Sequence, residues 1–425
     1  MAVCLGAWLV LGVGTAHAQT ADEGVLAGSE GRRPALISFT DSRLLTRLMS
    51  QGTPLLRRVG ASPDSFRLQL ILTEVNRDKK GRALLKHHTF GIDTSQFFYT
   101  ASLVKLPTAA LTLEWLREQN IPLSAALHLG AASDCQAEDL KAYQPLPVDE
   151  LIARSFVVSD NAAYNRLLEL WGPAALSRAL VERGYGSARI RHRYNSACAL
   201  DPTGGLNPLS LRQGPEVLLE RTARTERFAP YALDGMKLGG VDFVGSNFIN
   251  LVDLHRMMLA LYVPASMQSS ERFKLATSDY RLLHRAMTRL PSEVDSAWFD
   301  TSYYHAARMK YLLAGGNADT LAALRADSVL IFNKVGLGYG FMTDCAYVVD
   351  FKRKREFFLS AVIYVNADGV VGDDKYEYES VGLPFLGALG RRVLAHERRR
   401  KVGAKPKFGF LRAAWADARP TRATR

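Results

Sequence analysis

Strand-like sequence lies near both ends of this chain, with helical sequence between. "SFRLQLILTEVNRD" and "ALLKHHTFGID" alternate apolar and polar residues, and a Lys-Lys-Gly turn at Lys79 to Gly81 joins them as a hairpin. Three further runs of the same character, "SVLIFNKVG", "DCAYVVDF" and "REFFLSAVIYVN", come only after residue 327. Helical spacing marks "FTDSRLLTRLMSQG", the stretch from Ser102 to about Glu118, "PVDELIARSFVVSDNAAYNRLLELWG" and "PAALSRALVERGYG". It returns in "FINLVDLHRMMLALYV", "SDYRLLHRAMTRL", "TSYYHAARMKYLLAG" and a last helix from about Leu383 to His396. This order predicts an α+β fold: one antiparallel sheet built from both chain ends, flanked by helices, with an all-helical subregion beside it. Residues 194–245 have scattered Gly and Pro and read as a long loop or insertion.

The first residues, "MAVCLGAWLVLGVGTAHAQT", carry a short apolar run ending in a small-x-small site. That predicts a signal peptide over 1–18, a linker over 19–35, one domain over 36–396 and a basic tail over 397–425. It also implies secretion, into a periplasm. Export would leave Cys135, Cys198 and Cys345: Cys135 with Cys198 is the pairing to consider, and Cys345, in an alternating strand, reads as a free core thiol. The net charge of +12 would suggest a nucleic-acid binder, but residues 391–425 hold twelve Lys and Arg against Glu397 and Asp417. Ten of the twelve net charges are therefore a tail property, which points away from nucleic acid and toward a solvated tail that can touch an anionic envelope surface.

Three short motifs could carry chemistry, and each has a plain alternative. Ser102 and Lys105 form the only Ser-x-x-Lys of the chain. Positions i and i+3 share a helix face, and apolar neighbours can depress the lysine's pKa until it serves as a base. An ordinary helix start followed by a surface lysine would look alike, although Pro107 in the early helix shows that this start is constrained. Ser159, Asp160 and Asn161 could simply cap a helix. Lys334, Val335 and Gly336 could simply end a strand; the glycines at 336, 338 and 340 imitate a dinucleotide loop, but a strand and not a helix follows. No His, Cys or carboxylate set has zinc spacing, His87 and His88 face opposite sides of a strand, and "NADGVVGDDKYEYE" lacks a calcium loop's alternation, so neither metal nor cofactor is expected.

In their order and context, the three motifs resemble those of the serine β-lactamase and penicillin-binding-protein superfamily, nearest to class A β-lactamases. The resemblance covers roughly residues 60–200 and 245–395. It implies the β-lactamase/transpeptidase-like fold and an acyl transfer from a small-molecule or peptidoglycan-like amide or ester. In that scheme Ser102 is the nucleophile, Lys105 its base, and Ser159 a proton relay helped by Lys334. Asn161 orients Lys105 and, with Lys334 and Gly336, binds substrate; the backbone N–H groups of Ser102 and Leu337 form the oxyanion site. The sequence departs from the family pattern twice. "IRHRYNSACAL", where class A enzymes keep a water-activating glutamate, has no carboxylate, which implies slow deacylation or an acyl acceptor. Val335 replaces a threonine whose hydroxyl helps bind the β-lactam carboxylate.

Overall fold

The structure is a computed structural model that describes residues 40–131, 140, 143–196, 205–226 and 236–418. The expected signal peptide, the linker, Cys135, Cys198 and the last seven residues lie outside the described residues. Two short helices open the fold, α1 (Arg43–Ser50) and α2 (Pro54–Ala61), capped by Ser42 and Thr53. The predicted hairpin follows as β1 (Gln69–Arg77) and β2 (Ala83–Phe90). Gly81 supplies the positive φ its turn needs. A 3-10 turn, Ala101–Val104, runs straight into α3 (Lys105–Glu118). Pro107 therefore falls in the first turn of α3, where its missing N–H costs no helical hydrogen bond.

The middle of the chain holds β3 (Ala126–Leu129), β4 (Leu146–Pro147), α4 (Val148–Val157), α5 (Asn161–Trp171), α6 (Pro173–Glu182), β5 (Leu209–Gln213) and β6 (Glu216–Arg221). The last third holds α7 (Leu251–Tyr262), α8 (Thr277–Thr288), α9 (Ala318–Ala326), β7 (Val329–Gly338), β8 (Phe341–Asp350), β9 (Arg355–Tyr364), α10 (Leu383–Arg399) and α11 (Arg412–Ala418).

The main sheet has the order β7-β8-β9-β1-β2, every pair antiparallel, so the two chain ends meet where β9 pairs with β1, Gln69 opposite Val362. This is the predicted sheet. Four of its strands are largely buried on both faces, while edge strand β2 is exposed at Leu84 and Lys86, and alternate residues enter two different cores. Leu330, Phe332 and Phe358 pack with α3, α5 and α7, whereas Ile331, Val335 and Leu359 pack with α1, α2 and α10. Cys345 is a free, buried thiol as expected, and burial pushes its pKa up.

Three expectations need correction. Residues 194–245 are not simply a loop: β5 and β6 extend β3 and β4 into a second, four-stranded sheet, and short strand pairs join Gly205–Leu206 to Arg224–Thr225 and Lys237–Leu238 to Val241–Asp242. The run 301–315 is turns and no helix. Leu313, Gly315 and Gly316 take φ of 67, 62 and 70°, and Lys310 is drawn into a buried polar network. The basic tail does not start at 397: α10 continues to Arg399, and Phe408, Leu411 and Ala414 are buried in the core. Trp415 stacks on Phe351 with ring centroids 4.5 Å apart.

Candidate active site

The 3-10 turn puts Ser102 at the mouth of the helical half, and several contacts hold that turn in a strained shape. Ala101, just before the serine, has φ +46°, a conformation that costs a non-glycine residue roughly 1–3 kcal/mol unless the surroundings enforce it. They do so from two sides. Tyr194 Oη donates to Ala101 O at 2.7 Å, and Thr100 Oγ1 donates to Ile249 O at 3.3 Å while accepting from Ile249 N at 3.0 Å. Gly336 of β7 closes the third side: a Cβ there would sit 2.6 Å from Thr100 O, so only glycine lets the strand approach this closely.

Lys105 begins α3 and is 1% exposed. Its Nζ donates to Asn161 Oδ1 at 2.7 Å, to Ser159 Oγ at 3.2 Å and to the Ser159 carbonyl. Burial, reinforced by the charge of Lys334 and opposed by Asp160, holds its pKa well below the ordinary amine range. Ser102 is half-buried, and its hydroxyl makes no hydrogen bond among the described residues.

Ser159 occupies the turn between α4 and α5 with φ +54°, and the plain alternative for its motif is half right. Asp160 is the N-cap of α5, accepting from Ala162 N at 2.8 Å and Ala163 N at 3.1 Å. Capping by Asp160 frees its neighbours: Ser159 and Asn161 turn toward Lys105.

Lys334 reaches the same hydroxyl from the opposite wall. It is also 1% exposed, and its Nζ donates to Ser159 Oγ at 2.8 Å and to Val335 O at 3.1 Å. Burial, opposed by Asp344 and aided by Lys310, lowers its pKa to about 7. Ser159 Oγ thus accepts from two amines, which directs its own proton away from both and toward the cleft. β7 is an edge strand, so from Lys334 to Gly338 its outer side has no strand partner. Leu337 lies on this stretch, as the expected oxyanion contact requires. The expected role of position 335 changes: Val335 is 3% exposed and belongs to the core on the far face of the sheet, with Met342 and Ala346. Valine there is a packing residue.

A cavity of about 370 Å³ opens beside Ser159 and Asn161. Asn165, Arg166 and Tyr143 line one side, and Trp298, Phe299 and Tyr304 line the other. No motif in the sequence flags this aromatic wall: Trp298 and Phe299 lie between periodic runs, and Tyr304 sits in one that reads as a helix. Two described carboxylates, Asp160 and Glu169, line the cavity, and both are committed. Asp160 caps α5, while Glu169 is paired with Arg193 and accepts from Asn207 N at 2.9 Å. "IRHRYNSACAL" contributes Arg193, Tyr194 and Asn195 to the lining, and none of these is a carboxylate.

The structure therefore brings Lys105, Ser159, Asn161 and Lys334 into one hydrogen-bonded group, with Ser102 one helical turn from Lys105 and Gly336 against the Ser102 turn. Comparisons with known proteins bear on the fold and the family. Part of the chain is 31% identical over 116 residues to the beta-lactamase regulatory protein BlaB of Streptomyces cacaoi, an alignment covering 26% of this chain and 37% of that relative. A variant of the TLA-1 extended-spectrum beta-lactamase shares the fold at a TM-score of 0.50 and 9% identity, covering 83% of this chain and 100% of its own. PBP-A, solved as an acyl-enzyme complex with penicillin G, superposes at a TM-score of 0.47 and 16% identity, over 83% of this chain and 96% of its own. The family model described as "Beta-lactamase enzyme family" matches residues 81–297, just over half of the 425 residues, and the chain belongs to that family.

Proposed function

We propose that this protein is an exported serine hydrolase that transfers an acyl group from an amide or ester, such as a β-lactam or a peptidoglycan-like peptide, to Ser102. The observation that carries this reading is the bridge from Lys105 through Ser159 Oγ to Lys334, built one turn from a serine with an unengaged hydroxyl. Lys105 in its neutral form gives up one donated bond, the 3.2 Å contact to Ser159 Oγ being the weakest, and takes the Ser102 proton. Ser159 passes a proton to the leaving nitrogen and is resupplied by Lys105. The N–H groups of Ser102 and Leu337 meet the developing oxyanion, a contribution of about 3 kcal/mol at such sites. Lys334, Gly336 and Asn161 hold the substrate, and the basic C-terminal segment contacts an anionic envelope surface.

A second reading has its own support: an acyl acceptor that deacylates slowly. Asp160 and Glu169 are both tied up, so no described carboxylate in the cavity is left to activate water. The relative from Streptomyces cacaoi is named as a regulatory protein, which suits a sensor-like role. Incubation with a fluorescent penicillin and a chromogenic β-lactam, followed by intact mass, separates the two. Turnover supports the hydrolase, and a long-lived adduct on Ser102 supports the acceptor. If neither appears and simple esters are untouched, the acyl-transfer reading fails.

The pKa of Lys334 predicts a pH dependence. Below about 7 it is an ammonium that attracts an anionic substrate, and above that it is progressively neutral. Acylation by a carboxylate-bearing substrate should therefore decline as pH rises through about 7. Lys334→Arg keeps the charge at all these pH values. Its acylation, slower overall, should lose that decline, and a decline unchanged in Lys334→Arg would assign it to another group.

A further inference from the structure

On the opposite side of the main sheet, three ligand-type side chains converge, and a fourth, His88, stands against one of them. Glu74 of β1 is 5% exposed, Glu397 of α10 is fully buried, and His396 is their partly buried neighbour. One ligand atom from each of these three lies within 4.8 Å of the other two. His396 Nε2 is 2.8 Å from Glu74 Oε1, and His88 Nε2, from β2, is 3.5 Å from Glu74 Oε2. Two of the atoms present have no hydrogen-bond partner despite full burial: His88 Nε2 and Glu397 Oε1. His88 is 9% exposed and its other nitrogen, Nδ1, bonds Ser42 Oγ at 2.8 Å, so Nε2 is oriented toward Glu74 by a fixed second contact. An imidazole held through one nitrogen with the other bare, facing a carboxylate, is the usual preparation of a metal ligand.

We propose that Glu74, His88, His396 and Glu397 bind one divalent ion of the Zn2+ type, which ties the end of α10 to the β1–β2 hairpin. Two imidazoles and two carboxylates suit zinc, whereas calcium and magnesium prefer oxygen alone. Ligands about 2.0–2.2 Å from zinc stand roughly 3.3–3.6 Å apart in a tetrahedron. His88 Nε2 already has that spacing from Glu74 Oε2 at 3.5 Å, whereas His396 Nε2 and Glu74 Oε1, at 2.8 Å, move apart to admit the ion. On binding, the ion replaces the proton shared by His396 Nε2 and Glu74, and that proton leaves to solvent. Arg400 borders the site: its Nε lies 3.5 Å from Glu74 Oε1, so the ion shares that carboxylate with a guanidinium. Its guanidinium is fixed by Asn76 Oδ1 at 2.6 Å and Val75 O at 3.2 Å, and it pairs with Glu397 through Oε2 at 2.7 Å, leaving Oε1 for the ion. The donors come from positions 74, 88, 396 and 397, which is why no local spacing predicts a site and the sequence led to the opposite expectation.

The test uses the full chain stripped with EDTA and titrated with Zn2+ alone. The expected result is one Zn2+ bound per chain, with a higher melting temperature at about 100 μM Zn2+ than in EDTA and no comparable rise with Ca2+. His396→Gln and Glu397→Gln should each weaken binding at least about tenfold. His88→Asn, at the rim of the cluster, gives the same readout if either of these fails to fold. Labelling of Ser102 by a penicillin should be unchanged in all three, so this proposal and the acyl-transfer reading stand or fall separately. No uptake of Zn2+, or equal uptake by wild type and all folded variants, overturns the site.

Discussion

If Ser102 is the nucleophile proposed above, Ser102→Ala is expected to eliminate covalent labelling by a fluorescent penicillin and to lower turnover of an ester or amide substrate by at least about 10³-fold, because alanine has no hydroxyl to carry the acyl group. The melting temperature should stay the same or rise. The Ser102 hydroxyl makes no hydrogen bond among the described residues, so removing it orphans no buried partner. This separates nucleophile from scaffold more cleanly than a change at Lys105, whose Nζ bonds two Ser159 atoms and Asn161 and whose loss would disturb the fold as well. Intact mass after labelling, beside a thermal melt, decides the matter. An adduct of the same mass and rate in Ser102→Ala would assign the nucleophile elsewhere.

The second large effect concerns stability. Lys310 is 3% exposed and lies beneath β7, where its Nζ donates to Met287 O and Asn333 Oδ1 at 2.6 Å and to Ile331 O at 3.2 Å. Asn333 Nδ2 in turn donates to Asp344 Oδ1 at 2.9 Å, and Leu312 N donates to Asp344 Oδ2 at 2.9 Å. Burial lowers the Lys310 pKa to about 7 and raises that of Asp344 to about 6. Lys310→Met leaves Asn333 Oδ1 and two buried carbonyls without their donor and takes away one of the two cations that balance Asp344, so a loss of roughly 3–5 kcal/mol is expected, read from the urea midpoint. Adding Asp344→Asn should recover part of it, since the under-compensated charge goes too. A double variant no more stable than Lys310→Met would show that the two do not act as a pair. Asn333 precedes Lys334 on β7, so slower acylation should accompany the loss of stability.

The main sheet is legible because its strands are apolar runs rich in β-branched and aromatic residues, and because the chain places them on either side of a helical block. The site was legible from three motifs in order, Ser102 with Lys105, Ser159 with Asn161, and Lys334 with Gly336. Each taken alone also fits a helix start, a cap or a strand end, and Asp160 is indeed a cap. What escaped the sequence is set by tertiary contacts. "TSYYHAARMKYLLAG" has helical spacing, but the burial of Lys310 against Asn333 and the left-handed backbone at Leu313, Gly315 and Gly316 decide otherwise. The charge density after residue 396 hid Phe408, Leu411 and Trp415, which pack against the body of the protein. Alternation along β7 turns Lys334 to the cleft and its neighbour Val335 into the core shared with α10, so position 335 reads as a substrate contact only when the strand's pleat is left out.

The pairing of β1 with β9 also determines when this protein can become active. Gln69 cannot meet Val362 until the chain has been made as far as β9. Pairings this remote in sequence are slow to form, since a large loop must close before any contact rewards it. Lys334 lies on β7 of the same sheet, so a nascent chain that stops before β7 holds Ser102, Lys105 and Ser159 without the amine that completes their surroundings.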